Sequence, residues 1–256
     1  MDGLNVVILA AGKGKRMNNP DLPKVLNKIN DKPLIYYVIT TAHKLNANQI
    51  VVVIGHQGEL VKDYIKSVFD SNKIIFVIQE QQLGTGHAVL VTEQNIDKTN
   101  SYTLILAGDV PNISAKTLNE FIEKSIINQN DISVLSSNAD NPYGYGRIIR
   151  NNNNHIIKIQ EHKDCNEQEL SIKEINSGIL LAKTNILFKL LNLIKPNNNQ
   201  NEYYLTDIVE LGIINNLKVD AYGIANFNEI QGINTIEELK KAENYKKKYG
   251  DYKCIN

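Results

Sequence analysis

Leu9, Ala10, Ala11, Gly12, Lys13, Gly14, Lys15, Arg16 and Met17 crowd small residues, glycines and cations into one short segment. That combination suits a phosphate. Small residues and glycines let backbone N–H groups close on an anion as a nest, and the cations add charge around it. Pro23-Lys24 follows and supplies a further ammonium. A Gly-x-Gly pair alone also arises in ordinary tight turns, and Pro-Lys can simply lead into a helix. Two familiar phosphate loops do not fit. A dinucleotide fingerprint needs a third glycine where Met17 stands, and no Gly-Lys-Ser/Thr completes a Walker loop. Asp109, in Gly108-Asp109-Val110-Pro111, is either a turn aspartate or an oxygen ligand for a hard cation. Taken singly, Glu161 is a surface carboxylate and Asn234 a loop asparagine. His87 and His162 read as structural, with no second histidine or acid at metal-ligand spacing. No Ser/His/Asp or Cys/His constellation is evident.

The elements around these residues alternate. Apolar runs at 6–10, 50–54, 74–78 and 103–107 predict buried strands, and amphipathic stretches at 34–45, 59–69 and 87–94 predict helices between them. This is the rhythm of an α/β fold with a parallel sheet covered on both faces. The glycine-rich loop then follows the first strand, at the carboxyl edge where such sheets bind ligands. A helix after Ser114 and a strand at 132–136 continue the pattern. Beyond Asn138 it changes: 147–150 and 156–160 predict a hairpin, and 138–175 an antiparallel insertion standing as a wall beside the main sheet. A strand at 176–182 and helices at 184–194 and 204–215 come next. Thr235 and Glu238 form the capping box of a last helix.

Composition narrows the classes. The 256 residues carry 28 basic and 28 acidic side chains, so no net field draws the chain to nucleic acid or an acidic membrane. The late lysines, 240, 241 and 246–248, read as a solvated helix face. Two distant cysteines make neither a disulfide framework nor a metal site, and no apolar run has signal-peptide or membrane-span length. A reducing cytoplasm is the expected compartment.

The segment Gly12–Met17 with Pro23-Lys24 resembles the signature Gly-x-Gly-x-Arg-Met…Pro-Lys of the nucleoside-diphosphate-sugar pyrophosphorylases. Six further motifs extend the resemblance over nearly the whole chain. They are Gln82-Leu83-Gly84-Thr85-Gly86-His87-Ala88, Gly108-Asp109-Val110-Pro111, Tyr145-Gly146-Arg147-Ile148, Glu161-His162-Lys163-Asp164, Glu174-Ile175-Asn176-Ser177-Gly178 and Glu202-Tyr203-Tyr204-Leu205-Thr206-Asp207. More narrowly, the chain is similar to the N-terminal uridylyltransferase half of the bacterial bifunctional N-acetylglucosamine-1-phosphate uridylyltransferases.

The resemblance implies a Rossmann-like, mixed and mostly parallel sheet flanked by helices, with a small antiparallel insertion on the sugar side. It implies one nucleotidyltransferase domain over 1–256, divided into a nucleotide part (1–137), a sugar part (138–234) and a C-terminal helix and tail (235–256). The implied reaction joins UTP and N-acetylglucosamine 1-phosphate with Mg2+; another sugar 1-phosphate such as glucose 1-phosphate, or a catalytically silent binding module, are the alternatives. Arg16, Lys24 and Asp109 would act on the phosphates, and Asp109 and Asn234 would hold the metal. Leu9, Ala10, Ala11, Gly12, Gly14, Lys24, Gln79, Gly84 and Thr85 would bind the nucleotide, and Gly146, Glu161, Asn176 and Thr206 the sugar. In-line positioning and charge neutralisation are what such a transfer needs, because a phosphate monoester is already largely dianionic at neutral pH. The bifunctional relatives continue into a hexapeptide β-helix that carries acetyltransferase activity and drives trimerisation. No such repeats precede Asn256, so acetyl transfer is not expected of this polypeptide, and a homo-oligomer stays open without the element that builds the trimer.

Overall fold

The computed structural model describes residues 3–12, 14, 17, 22–70 and 73–249. In chain order the elements are β1 (Leu4–Ala10), a 3-10 turn (Lys24–Leu26), β2 (Lys28–Ile29), β3 (Lys32–Pro33), α1 (Leu34–Lys44), β4 (Gln49–Ile54), α2 (Gly58–Val68), β5 (Ile74–Ile78), α3 (Thr85–Leu90), β6 (Tyr102–Ala107), α4 (Ala115–Ile127) and β7 (Ile132–Asn138). There follow β8 (Arg147–Arg150), β9 (Ile156–Gln160), α5 (Glu167–Leu170), β10 (Glu174–Lys183), α6 (Thr184–Leu191), α7 (Asp207–Ile214), β11 (Val219–Tyr222), α8 (Phe227–Ile230) and α9 (Ile236–Tyr249).

A nine-stranded sheet carries the fold, in the order β11-β7-β10-β6-β1-β4-β5, with β8 and β9 attached through β10. β5, β4, β1 and β6 run parallel, whereas β10 is antiparallel to both its neighbours, β6 and β7. The sheet is therefore mixed but mostly parallel, as expected. β1 shows why its sequence is apolar at every other position on both faces. Val6 and Ile8 face a layer containing Ile39 of α1, Ile65 of α2 and Phe121 of α4. Val7 faces the opposite layer, with Val89 of α3, Leu187 of α6 and Ile208 of α7. Each fully buried side chain of this kind contributes about 1.5–3 kcal/mol relative to exposure, which holds the strand ends in place.

Parallel direction delivers four strand ends to one edge. The loop after Ala10, Gly55 after β4, Gln79 after β5 and Gly108-Asp109 after β6 all emerge there. Strand order reverses at β1, whose two neighbours are β4 and β6, and that reversal opens a crevice beyond the β1 and β6 ends.

Three expectations change. The hairpin β8–β9 forms, but Arg147 pairs with Ile175 of β10, so the insertion extends the main sheet instead of standing as a separate wall. The helix expected from residue 204 begins at Asp207, because the Tyr203 carbonyl, which would take the first helical bond, accepts from Gly86 N–H (2.8 Å), while Tyr203 N–H and Leu205 N–H are pinned to Leu83 O (2.8 Å) and the Thr85 hydroxyl (3.0 Å). The short elements α5, β11 and α8 were not expected from the pattern; in β11 (Val-Asp-Ala-Tyr) only Ala221 is buried and there is no apolar run, so pairing with β7 makes it a strand.

Candidate active site

The turn after β6 sets Asp109 beside Lys24. Gly108 N–H donates to Leu9 O (2.9 Å), tying the Asp109 turn to the end of β1, and an added Cβ at Gly108 would lie 2.9 Å from that same oxygen. Lys24 opens the 3-10 turn, and Gly14 packs so closely on it that a Cβ at Gly14 would stand 2.6 Å from Lys24 Cβ. Gly14 also has φ of +59°, which only glycine adopts at little cost. The Lys24 ammonium donates to Asp109 Oδ2 and to Asn234 Oδ1, the latter at 2.6 Å. Three residues separated by up to 210 positions thus meet at one point. Two oxygens reach a single positive centre there, one from a carboxylate and one from an amide. Such hard donors suit magnesium, which takes one or two protein oxygens and completes its shell with phosphate and water. The residues fit that cation.

Arg16, with Lys13 and Lys15, lies outside the described residues. Met17 is described and buried, and it packs with Ile29, Leu34, Tyr37, Ile233 and Ala242 instead of lining the crevice.

Among the residues expected to bind the nucleotide, Leu9 and Ala10 close β1, and the exposed Gly12 has open space around its α-carbon. Ala11 O accepts from Gln82 Nε2 (2.7 Å). Gln79 is buried, and its Nε2 donates to Gly84 O (3.0 Å) and lies 3.1 Å from His87 Nδ1. His87, read as structural from the sequence, therefore helps to fix the Gln79 amide. Gly84 has φ of +115° and sits against the Tyr203 backbone, where a Cβ would approach to 2.6 Å. Thr85 accepts from Leu205 N–H instead of pointing its hydroxyl to open space. The 83–86 and 203–205 segments are zipped together by these bonds.

That zipper places Thr206 against Glu161, to whose Oε1 it donates (3.0 Å). Gly146 lies over the same carboxylate, and a Cβ there would stand 3.4 Å from both its oxygens. Asn176 N–H donates to Gly146 O (2.9 Å), and Asn176 Oδ1 accepts from Gly178 N–H (3.0 Å) within a bulge of β10. The four expected sugar-side residues therefore form one cluster. Burial pushes the Glu161 carboxyl up, the Thr206 bond opposes that, and the charges of Asp164 and Glu202 reinforce it. Asp207 is raised to about 6, first by burial and then by Glu161, Glu210 and Asp164.

Two participants were not foreseen. Arg147 follows Gly146 and is almost wholly buried; it donates to Tyr145 O and reaches His162 Nδ1 (3.5 Å), joining the turn before β8 to the Glu161 segment. Asp207 had no signal of its own, since its neighbours come from distant segments. Tyr145 links the two corners. It is raised to about 12 by burial and by Glu238, against a hydrogen bond from the Gly232 backbone, with Asp109 adding to the rise.

Residues 6–169 match the MobA-like NTP transferase domain. The chain belongs to this family. The MobA-like domain places it among the nucleotidyltransferases. It is 41% identical over 237 residues to the bifunctional protein GlmU of Streptococcus uberis, a match covering 93% of this chain and 50% of that protein. The GlmU of Streptococcus agalactiae serotype V gives the same identity and coverage. The chain spans about half the length of these curated relatives, and the half it matches is their N-terminal domain. In fold it is similar to a UDP-glucose pyrophosphorylase solved with UDP-glucose, with a TM-score of 0.77 and 22% identity, covering 96% of this chain and 100% of that one. HddC from Yersinia pseudotuberculosis gives a TM-score of 0.67 and 21% identity, covering 94% of this chain and 98% of that one. No helix among the described residues is long and apolar enough to cross a membrane.

Proposed function

We propose that this chain transfers UMP from UTP to N-acetylglucosamine 1-phosphate and releases pyrophosphate. The observation that carries the reading is the meeting of Lys24, Asp109 and Asn234 at the β1/β6 crevice, in a chain 41% identical to GlmU over 237 residues. Asp109 and Asn234 would hold Mg2+. When bound, that ion supplies charge neutralisation at the phosphates and a template for in-line geometry. The attacking phosphate oxygen is already anionic near neutral pH and needs no protein base. The chain's own work is positioning. Lys24 presents an ammonium to the phosphate oxygens as negative charge moves to the leaving pyrophosphate. Gln79 presents its amide oxygen and Gly84 its backbone edge to uracil, while the Gln79 Nε2 is already held by Gly84 O and His87 Nδ1. Glu161 accepts from sugar hydroxyls, Asn176 bonds the acetamido group, and Gly146 leaves room for the ring because nothing projects from its α-carbon.

A matrix of four nucleoside triphosphates against several sugar 1-phosphates, read by pyrophosphate release with Mg2+ present, tests the substrate assignment. The expected maximum is UTP with N-acetylglucosamine 1-phosphate. A clear preference for glucose 1-phosphate would displace the assignment while keeping the transfer chemistry.

A further inference from the structure

We propose that Glu238 is a positioning residue for the cation site, fixing the backbone from which Asn234 presents its amide oxygen. This rests on the reading that Asp109 and Asn234 hold a divalent cation. The Glu238 carboxylate accepts from two successive backbone N–H groups, Asn234 at 2.6 Å and Thr235 at 2.9 Å. In return the Thr235 hydroxyl accepts from Glu238 N–H at 3.2 Å. The last pair of bonds is a reciprocal capping box for α9. The bond to Asn234 goes beyond it, because capping the helix needs the Thr235 N–H and not the one before.

Asn234 is thereby held from both sides. The preceding residue, fully buried Ile233, donates its N–H to Asp109 O (3.0 Å). The following turn is held by Glu238. The α-carbon of Asn234 is thus tied to the backbone of Asp109 on one side and to α9 on the other. The far part of α9 braces the same turn. Lys246 Nζ donates to Pro111 O (2.8 Å) and lies 4.3 Å above the Tyr37 ring, while Ala242 O accepts from Asn112 Nδ2 (3.5 Å). An amide oxygen is a neutral and therefore weak ligand, so its usefulness depends on being held in place before the ion arrives. Partners that orient a ligand typically govern about 10–100-fold in metal affinity.

The test uses Mn2+ as the probe, titrated into the full chain with UTP present and sugar phosphate absent, and followed by water-proton relaxation. Glu238→Ala should weaken Mn2+ binding about tenfold or more, and Glu238→Gln, which keeps an acceptor oxygen, should restore part of it. Thr235→Ala removes the other half of the capping box without releasing the Asn234 N–H, so it should lower thermal stability yet keep Mn2+ affinity within about twofold. Parent-like affinity in Glu238→Ala overturns the proposal. So does an equal loss in Thr235→Ala, which would make the effect one of helix stability alone. A parent chain that binds no Mn2+ with UTP overturns the underlying cation-site reading instead, a result separate from either.

Discussion

The crevice has two corners built on opposite electrostatic plans. At one, Lys24 stands between Asp109 and Asn234, and opposite charges face each other across a hydrogen bond. At the other, Glu161, Asp164, Glu202 and Asp207 gather, and burial with like charge pushes Glu161 and Asp207 up. The first arrangement suits phosphates and a cation, whose charges it can neutralise. The second would repel a phosphate and suits neutral hydroxyls, for which a desolvated carboxyl is a strong acceptor. Charge alone would orient a sugar phosphate with its phosphate toward Lys24 and its ring toward Glu161. Tyr145 feels the charges of Glu238 and Asp109 at its hydroxyl and accepts from Arg147 at its carbonyl.

Substitutions can break this division of labour. The largest effect is expected from Asp109→Ala, which should lower the single-turnover rate by about a thousandfold, the several kcal/mol that metal-assisted charge stabilisation supplies. Sugar phosphate affinity should stay within a few-fold, and comparable rates in mutant and parent would remove Asp109 from the chemistry. Lys24→Met should follow, with turnover reduced about a hundredfold, as when one donor to developing charge is lost. Glu161→Ala should act on the other corner alone. It should raise the sugar phosphate KM by about 10–100-fold, the worth of a hydrogen bond to a charged group, and leave UTP binding near the parent value. An unchanged sugar KM and kcat would count against a sugar role for Glu161.

The smallest effect concerns pH. Asp207 is held near 6 in the folded chain against an ordinary value of 3.8, so folding favours its protonated form. Its contribution to stability is complete below about pH 4 and is lost as pH rises through about 6. Asp207→Asn should therefore be more stable than the parent above pH 6 and indistinguishable from it near pH 4. Thermal melts across that range check the crossover. A constant offset at all pH values would show that ionisation of the buried, acid-flanked Asp207 is not what strains this corner.

The meeting of Lys24 with Asp109 was largely legible in the sequence. A glycine-rich loop after an apolar run fixes where phosphate can sit, and Asp109 ends a strand in the same parallel set, so topology alone brings both to one edge. Asn234 came only through resemblance, since nothing local distinguishes it from a loop asparagine. The Glu161 corner was legible as motifs but not as physics. The upward pKa shifts of Glu161 and Asp207 come first from burial between segments about 45 residues apart that pack only in three dimensions. Arg147 shows the same limit: the strand read at 147–150 says nothing of its burial, yet the residue is 1% exposed. Helix α7 started late for a related reason, because tertiary pairing of Tyr203 and Leu205 with residues 83–86 outcompeted the helical pattern.

Transfer of the uridylyl group from UTP to the sugar phosphate can be followed by a single label experiment. UTP labelled at the α-phosphate is incubated with the chain, Mg2+ and N-acetylglucosamine 1-phosphate, and the products are separated. Label is expected in a UDP-sugar, with one pyrophosphate released per sugar nucleotide formed and none when the sugar phosphate is omitted. Label recovered in UMP, or left in UTP at enzyme concentrations comparable to substrate, would contradict it.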